Sequence, residues 1–398
     1  MTYSLLQGSR VVELGESVSA PYCAKLLADM GAEVLKVEPP GVGDQAREYG
    51  PFPGDEPHPE RSGLFLYLNA NKQGVTLDLE TPTGREILGD LLAQSQVFVH
   101  NLHPKEMDRL GVDYERLSKH NAQLVMASIT PFGLTGPYRN YKAYDINLAA
   151  AGGICEGLGS PDREPLTFGT PQVGYFAAMA AASSIVIALL AGGGQNIDIA
   201  EVEAMAGIYN GPEALMAVYQ WRMTRRTGHH ALDFPYPNCI LRCKDGYIFI
   251  GSPEGRQWKK FLEIMGDPEW AKEPRFRNRT TMNNEYADEV DGYVEEWLLK
   301  HTKAELLDLA LEHRVPLAPV RNFDEVRNDE SLADQFVAVD RSDTGLISFA
   351  GPPYKLPGQP VSPTRPAPFL GQHNADIYCE RLGYTKEELV KLYQTGII

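Results

Sequence analysis

Residues 10–39 read RVVELGESVSAPYCAKLLADMGAEVLKVEP, and the order of signals in this stretch decides the fold. Arg10–Leu14 has the apolar, β-branched character of a buried strand. Pro21–Met30 reads as a helix, with Ser19 as a candidate N-cap and Gly31 as a stop. Glu33–Glu38 returns to valine and leucine as a second strand. Strand, helix and strand joined by short turns predict a βαβ unit and hence a parallel pair.

The same alternation continues outward. Val75–Leu79 reads as a third strand and Thr83–Ala93 as a helix with Pro82 near its start. Val97–His100 and Leu124–Ile129 are further apolar strands. A region rich in Ala and Gly, from about Ala143 to Leu190, reads as helical; Ile197–Ile199 follows as a strand and Glu201–Tyr209 as a helix. Composition changes after Tyr219, where Arg222, Arg225, Arg226 and His229-His230 lead into Phe234-Pro235-Tyr236-Pro237. Cys239–Cys243 and Tyr247–Ile250 pair across Asp245-Gly246, a hairpin turn. Amphipathic helices occupy about Gln257–Glu312, and Val315–Val320 is a return segment. The tail to Pro368 is rich in Pro and Gly, and a last helix begins near Thr385. The expected fold class is α/β. A large domain with a largely parallel sheet (residues 1–221 and 326–398) is interrupted by a smaller α+β domain (222–325).

Of the 398 residues, 37 are Lys or Arg and 53 are Asp or Glu, a formal net charge of −16. That balance argues against nucleic acid or an anionic membrane surface as the main partner. An anionic ligand would need a local cluster of Lys and Arg. The five cysteines are odd in number and scattered, which suggests no disulfide framework. Cys239-x-x-x-Cys243 is half a metal motif, but no second Cys or His pair with ligand spacing follows, so no metal is expected. The first residues show no basic segment leading into an apolar run, and the expected location is cytoplasmic. Gly174–Gly194 is uncharged and long enough to span a bilayer. Its Ala and Ser content and lack of flanking cations suit a buried core helix better, and no membrane association is expected. Gly41-Val42-Gly43-Asp44-Gln45-Ala46 matches a loose dinucleotide fingerprint, yet Pro51, Pro53, Pro57 and Pro59 leave no room for the long helix that motif needs. A glycine-rich surface loop is the better reading.

Several stretches in fixed order resemble the class III CoA-transferase family over about 370 residues. They include Val11-Val12-Glu13-Leu14, Leu26-Leu27-Ala28-Asp29-Met30-Gly31-Ala32 and Val34-Leu35-Lys36-Val37-Glu38-Pro39. Asn69-Ala70-Asn71-Lys72, Asn101-Leu102-His103-Pro104, Asp108-Arg109-Leu110-Gly111 and Tyr144-Asp145-Ile146-Asn147 follow, with Ala367-Pro368-Phe369-Leu370-Gly371 near the end. The resemblance implies a Rossmann-like large domain, a smaller inserted domain and a dimer of interlocked rings. It also implies CoA or acyl-CoA as a substrate, with no permanently bound cofactor. Family positions that contact CoA map onto Asn101, Arg109 and Lys142, and less directly onto Lys72 and Arg47. Arg and Lys suit the phosphates of CoA through charge-assisted hydrogen bonds.

The family's nucleophile is the aspartate of a Gly-Asp-x-x-x-Gly turn. It attacks an acyl-CoA thioester to give a mixed anhydride and CoA thiolate. The acceptor carboxylate then takes over the acyl group, and the thiolate ends on the new acid. Here the turn reads Gly169-Thr170-Pro171-Gln172-Val173-Gly174. Threonine would form an ester, a far poorer acyl donor, and its hydroxyl would need a base. The family's adaptable glycine-rich loop corresponds to Gly228–Phe234, which holds a single glycine. A related branch racemises acyl-CoA esters with a His where Tyr144 stands and an Asp where Thr170 stands, so neither base is present. Tyr144 and Asp145 are candidate site-lining residues, and Asp162, Glu164 and Glu254 are candidate substitute acids. The leading expectation is a CoA-transferase subunit lacking the nucleophile, whose homologous partner subunit carries the aspartate. The acceptor would be an acid such as benzylsuccinate and the donor succinyl-CoA. The alternatives are a self-sufficient acyl-CoA enzyme using another acid, and a non-catalytic acyl-CoA-binding protein.

Overall fold

The computed structural model describes residues 5–209, 215, 217–219, 226–231, 234–251, 254–354 and 365–398. Arg222, Arg225, Leu232, Asp233 and the Ser252-Pro253 pair lie outside the described residues. The chain divides into two compact units. The larger comprises Met1–Ile154, Thr167–Trp221 and Asp334–Ile398; the smaller comprises Cys155–Leu166 and Arg222–Ala333. Relative to the expected boundaries, residues 155–166 and 326–333 move to the smaller unit.

Strands β1 (Arg10–Leu14), β2 (Glu33–Glu38), β3 (Gln73–Thr76), β4 (Val97–His100), β5 (Val125–Thr130) and β6 (Asn196–Ala200) form one sheet in the order β3-β2-β1-β4-β5-β6. All five pairings are parallel. The α/β expectation holds, and the strand order is that of a doubly wound dinucleotide-type sheet. Both faces are covered, because side chains alternate along each strand. Val11, Val34, Val97, Val99, Val125 and Ala127 point into one core. Val12, Leu35, Val75, Phe98 and Met126 point into the other.

Helix α1 (Ser19–Asp29) packs on the first face, together with α8 (Gln172–Leu190). Ser19 is not the N-cap: Val18 holds that place, and Ser19 opens the helix with its hydroxyl facing Asn101. The second core takes α3 (Pro82–Ala93) and α4 (Pro104–Leu110). Helix α2 (Gly63–Asn69) precedes β3, and α5 (Tyr114–Leu117) precedes β5. The expected helical region from 143 to 190 is broken into α6 (Asp145–Ala151), α7 (Ile154–Gly157) and α8. Prolines at 161, 165 and 171 keep the intervening segment out of helical geometry. Helix α9 (Glu201–Tyr209) follows β6 directly. The membrane-length stretch is α8. Ala177, Ala181 and Ala188 bury one face in the core, while Ile187 and Leu190 are exposed, so this helix is buried on one side only.

The late chain returns to the larger unit. A hairpin of β-strands Phe336–Arg341 and Gly345–Ala350, hidden in the Pro/Gly-rich tail, pairs antiparallel. Residues 373–378 then cover the open edge of β3. The Asn374 side chain accepts from Thr76 N at 2.9 Å and Tyr378 Oη donates to Thr76 O at 2.6 Å, which protects an otherwise unpaired strand edge. In the smaller unit, β7 (Asn238–Cys243), β8 (Gly246–Gly251) and β9 (Leu317–Val320) form an antiparallel sheet. The 315–320 return segment is its third strand.

A buried ion network ties β1, β2 and the α2–β3 connection together. Glu13 accepts from Lys36 at 2.8 Å through one carboxylate oxygen and from Lys72 at 2.6 Å through the other. Lys36 also reaches Asp44 at 2.7 Å and Gly15 O at 2.9 Å. Lys72 donates further to Pro21 O and Asn69 Oδ1, each at 2.8 Å. Burial alone would lower the pKa of Lys36, but Asp44 and Glu13 outweigh it and hold it above the usual lysine range. Burial dominates at Lys72 and pulls its pKa down to about 8, with Glu13 opposing. Removing the shared carboxylate leaves two buried ammonium groups without their counter-charge. Glu13→Gln is expected to cost about 3–5 kcal/mol of unfolding free energy, with partial recovery when Lys72→Met is added. Chemical denaturation checks this, and an unchanged midpoint in Glu13→Gln would rule the network out as a structural keystone.

Candidate functional site

The carboxyl ends of the parallel strands open into a cleft of about 570 Å³. It lies where the strand order reverses, between β1 and β4, the place where open parallel sheets bind ligands. Gly15, Glu16 and Ser17 leave β1 on one side, and Asn101 leaves β4 on the other. Asn101 Oδ1 accepts from Glu16 N at 2.9 Å, and its Nδ2 donates to Glu16 O at 2.7 Å and to Ser19 Oγ at 3.2 Å. A Cβ at position 15 would come within 2.5 Å of the Ala20 Cβ, so only glycine allows the β1 loop to lie so close to α1.

Arg109, at the end of α4, and Lys142 also line the cleft, as does Tyr144. Asn101, Arg109, Lys142 and Tyr144 are therefore brought together. The Arg109 guanidinium forks onto Glu80 and bonds Glu106 at 2.5 Å. Lys142 is exposed and has no ion-pair partner among the described residues. The expected basic cluster is reduced to these two cations, set among Glu16, Glu38, Asp44, Asp78, Glu80 and Glu106. At Glu16, burial and the charge of Asp44 push the carboxyl pKa up, with Lys36 opposing.

Lys72 and Arg47 do not line the cleft, and both side chains are buried. Lys72 is held by Glu13, Pro21 and Asn69, as described above. Arg47 is 1% exposed; it forks onto Glu38 at 2.7 and 2.9 Å, bonds Glu60 at 2.8 Å and lies over the Phe65 ring. Their charges are spent beneath the cleft floor, where they neutralise Glu13 and Glu38. The Gly41–Ala46 stretch forms a loop and one short turn (Gln45–Glu48) rather than a long helix; Gly41, Val42 and Gln45 are exposed, while Asp44 and Ala46 are buried.

Thr170 stands exposed just before α8, and its hydroxyl accepts from Gln172 Nε2 at 2.6 Å. Among the described residues no carboxylate or imidazole contacts that hydroxyl. A Cβ at position 174 would lie 3.2 Å from Val18, a tight contact where α8 starts against α1. Asp145 begins α6, but its Oδ1 serves α8, accepting from Val173 N at 2.9 Å and Gly174 N at 3.4 Å. The partial positive charge of the α8 N-terminus is thus already answered by a carboxylate of this chain. Burial raises the pKa of Asp145, and the amide hydrogen bonds pull it back. Glu201, half-buried at the end of β6, was not anticipated from sequence. Burial raises its pKa, a hydrogen bond to Ser19 lowers it and nearby Asp145 raises it again. The signal that finds Glu201, Glu16 and Glu80 is their place just after a parallel strand. The proposed substitute acids lie in the smaller unit. Asp162 is exposed and bonded by the Ser160 hydroxyl, Glu164 is exposed, and Glu254 pairs with Arg256 at 2.7 Å.

Known proteins of similar sequence and structure agree with one another. The sequence profile of CoA-transferase family III matches residues 6–374. The chain is 32% identical over 406 residues to the succinyl-CoA–D-citramalate CoA-transferase of Chloroflexus aurantiacus, covering 99% of this chain and 98% of that one. It is 33% identical over 397 residues to the succinyl-CoA:mesaconate CoA-transferase of Haloarcula hispanica, covering 94% and 96%. The crystal structure of a CAIB/BAIF family protein from Brucella suis matches with a TM-score of 0.85 at 29% identity, covering 96% of this chain and all of that one. With the doubly wound sheet, its strand-end cleft and a match running nearly end to end, the chain belongs to CoA-transferase family III, whose members act on CoA thioesters.

Proposed function

We propose that this chain is the nucleophile-lacking subunit of a two-subunit CoA-transferase. The assembly would move CoA from an acyl-CoA donor, succinyl-CoA foremost, to a free carboxylic acid, with an aromatic dicarboxylate such as benzylsuccinate as the leading candidate. The observation that carries this reading is the combination of a strand-end cleft with a threonine at position 170 whose hydroxyl has no carboxylate or imidazole partner among the described residues. Two relatives that are named for succinyl-CoA support the choice of donor.

In this reading the chemistry belongs to a homologous partner. The partner's aspartate attacks the thioester carbonyl, the C–S bond breaks, and CoA leaves as thiolate while the acyl group sits on the aspartate as an anhydride. The acceptor carboxylate takes the acyl group and frees the aspartate, and the thiolate then attacks the carbonyl that belonged to the acceptor, forming the new thioester and expelling the donor acid as its carboxylate. Arg109 and Lys142 of this chain hold the phosphates of CoA, Asn101 sets the wall beside them, and Tyr144 borders the opening. Arg109 can exchange Glu80 and Glu106 for phosphate because exposed ion pairs are weakly held. The exposed apolar residues Ile187 and Leu190 on α8 suit the interlocked assembly with such a partner. The transfer requires no resident cofactor and takes place in the cytoplasm, without nucleic acid or membrane.

A second reading rests on Glu201. Its carboxyl and that of Asp145 interact behind the α8 N-terminus, and both have raised pKa values. A self-sufficient enzyme would use Glu201 as the nucleophile. One pair of measurements separates the two. The isolated chain is incubated with succinyl-CoA, and covalent adducts are located by mass spectrometry. The wild type is expected to form none, and Thr170→Asp to form one at position 170. An adduct at Glu201 in the wild type, lost in Glu201→Gln, would instead establish the second reading.

CoA binding itself is tested at the cations. Arg109→Ala and Lys142→Ala are each expected to weaken CoA affinity by roughly tenfold and to flatten its salt dependence. Calorimetric titration at two ionic strengths measures both effects, and unchanged affinity in the double variant would remove the cleft as the CoA site.

A further inference from the structure

The spacing of Cys and His gave no reason to expect a metal, yet the fold of the smaller unit gathers a ligand set from residues 62 and 61 positions apart. His229 Nε2 lies 2.9 Å from Asp291 Oδ2, and His230 Nε2 lies 2.7 Å from the same oxygen. The three ligand atoms fall within 4.8 Å of one another. Asp291 sits on the helix Ala287–Leu298 and is 7% exposed; His230 is 9% exposed, and the His229 side chain is half exposed.

The backbone around the two histidines is pinned. Ile240 N donates to His229 O at 3.1 Å and Ala231 N to Asn238 O at 3.0 Å, while Asn283 Nδ2 donates to Ala231 O at 2.9 Å. The other oxygen of Asp291 accepts from Tyr236 Oη at 2.8 Å. Hydroxyl and amide partners of this kind orient metal ligands in known sites.

Two neutral imidazoles can both donate to one carboxylate oxygen, which makes the cluster a hydrogen-bonded brace. The buried His230 Nδ1 has no partner among the described residues, so nothing there fixes its proton on Nε2. With the proton on Nδ1 of a ring, its Nε2 lone pair is free for a metal, and the two Nε2 atoms and Asp291 Oδ2 already lie within 4.8 Å of one another. Ligand bonds of about 2.0–2.2 Å require the rings and the carboxylate to rearrange around the ion, because the Nε2–Oδ2 distances are now those of hydrogen bonds. The exposed His229 edge offers an entry path and leaves a position for water. We propose that His229, His230 and Asp291 bind one divalent transition-metal ion, Zn²⁺ foremost, as a two-histidine, one-carboxylate site. Nitrogen-rich sets of this type favour Zn²⁺, Co²⁺ and Ni²⁺ over Mg²⁺ or Ca²⁺. The ion would link the 229–230 segment to the helix that carries Asp291.

The test uses the full-length protein, stripped with chelator and titrated with Co²⁺. The expected result is one Co²⁺ per chain, with visible ligand-field bands that Zn²⁺ displaces, and a rise in melting temperature on adding Zn²⁺. His229→Ala, at a half-exposed ring, is expected to abolish the bands and the thermal shift. Tyr236→Phe, which leaves all three ligands in place, is expected to weaken binding by about 10–100-fold. Asp291→Asn should bind no ion if it folds. Absence of stoichiometric Co²⁺ binding in the wild type, or full binding retained in His229→Ala, would overturn the site and leave the cluster as a brace.

Discussion

One carboxylate buried between two lysines organises the larger unit. Glu13 on β1 bonds Lys36 on β2 and Lys72 ahead of β3, and all three side chains are closed to solvent. Charges cannot sit in an apolar interior unless each is matched, so the positions of these strands are coupled to one another. The coupling extends upward. Lys36 bonds Gly15 O and Asp44, and Asp44 in turn accepts from Ser17 N at 2.9 Å. The loop that forms one wall of the cleft is therefore suspended from the network beneath it. Arg47 repeats the device beside it, bridging Glu38 to Glu60, and Arg341 of the late hairpin bonds the same Glu60 at 3.0 Å.

This arrangement leaves the cleft of an acidic chain with few free cations. The lysines and arginine in the floor neutralise Glu13, Glu38 and Asp44, which would otherwise repel phosphate. Arg109 and Lys142 are the cations left lining the cleft. At the other end, Thr170 lies beside an α8 N-terminus that Asp145 already occupies. A helix N-terminus is well suited to stabilise a carboxylate. In this chain that service goes to Asp145, and the turn residue is an unactivated hydroxyl. A preserved cleft with no nucleophile at the turn is what a subunit relying on a partner requires.

Much of the fold was legible in sequence. β1, β2 and β4 fall at the residues their apolar runs mark, because strands buried on both faces announce themselves as continuous valine and leucine. The 143–190 region misled because Ala and Gly signal helix on average, while the breaks depend on single prolines and glycines. The hairpin at 336–350 was masked by proline-rich neighbours. Asn101, Arg109, Lys142 and Tyr144 were found through resemblance and do share a cleft. That Lys72 and Arg47 bond buried glutamates outside the cleft lining was not legible, because a lysine or arginine looks the same in sequence whether it faces solvent or a buried glutamate. Glu201 was missed although its place directly after a parallel strand marks it, and the His229-His230-Asp291 cluster was missed because it depends on residues that only the folded chain brings together.

The central claim is that this chain works beside a homologue carrying the aspartate it lacks. Native mass spectrometry of the protein isolated from its own cells tests this most directly. The account predicts a complex with a second chain of similar mass whose sequence carries Gly-Asp-x-x-x-Gly at the corresponding turn. A homo-oligomer of this chain alone that turns over succinyl-CoA would contradict it.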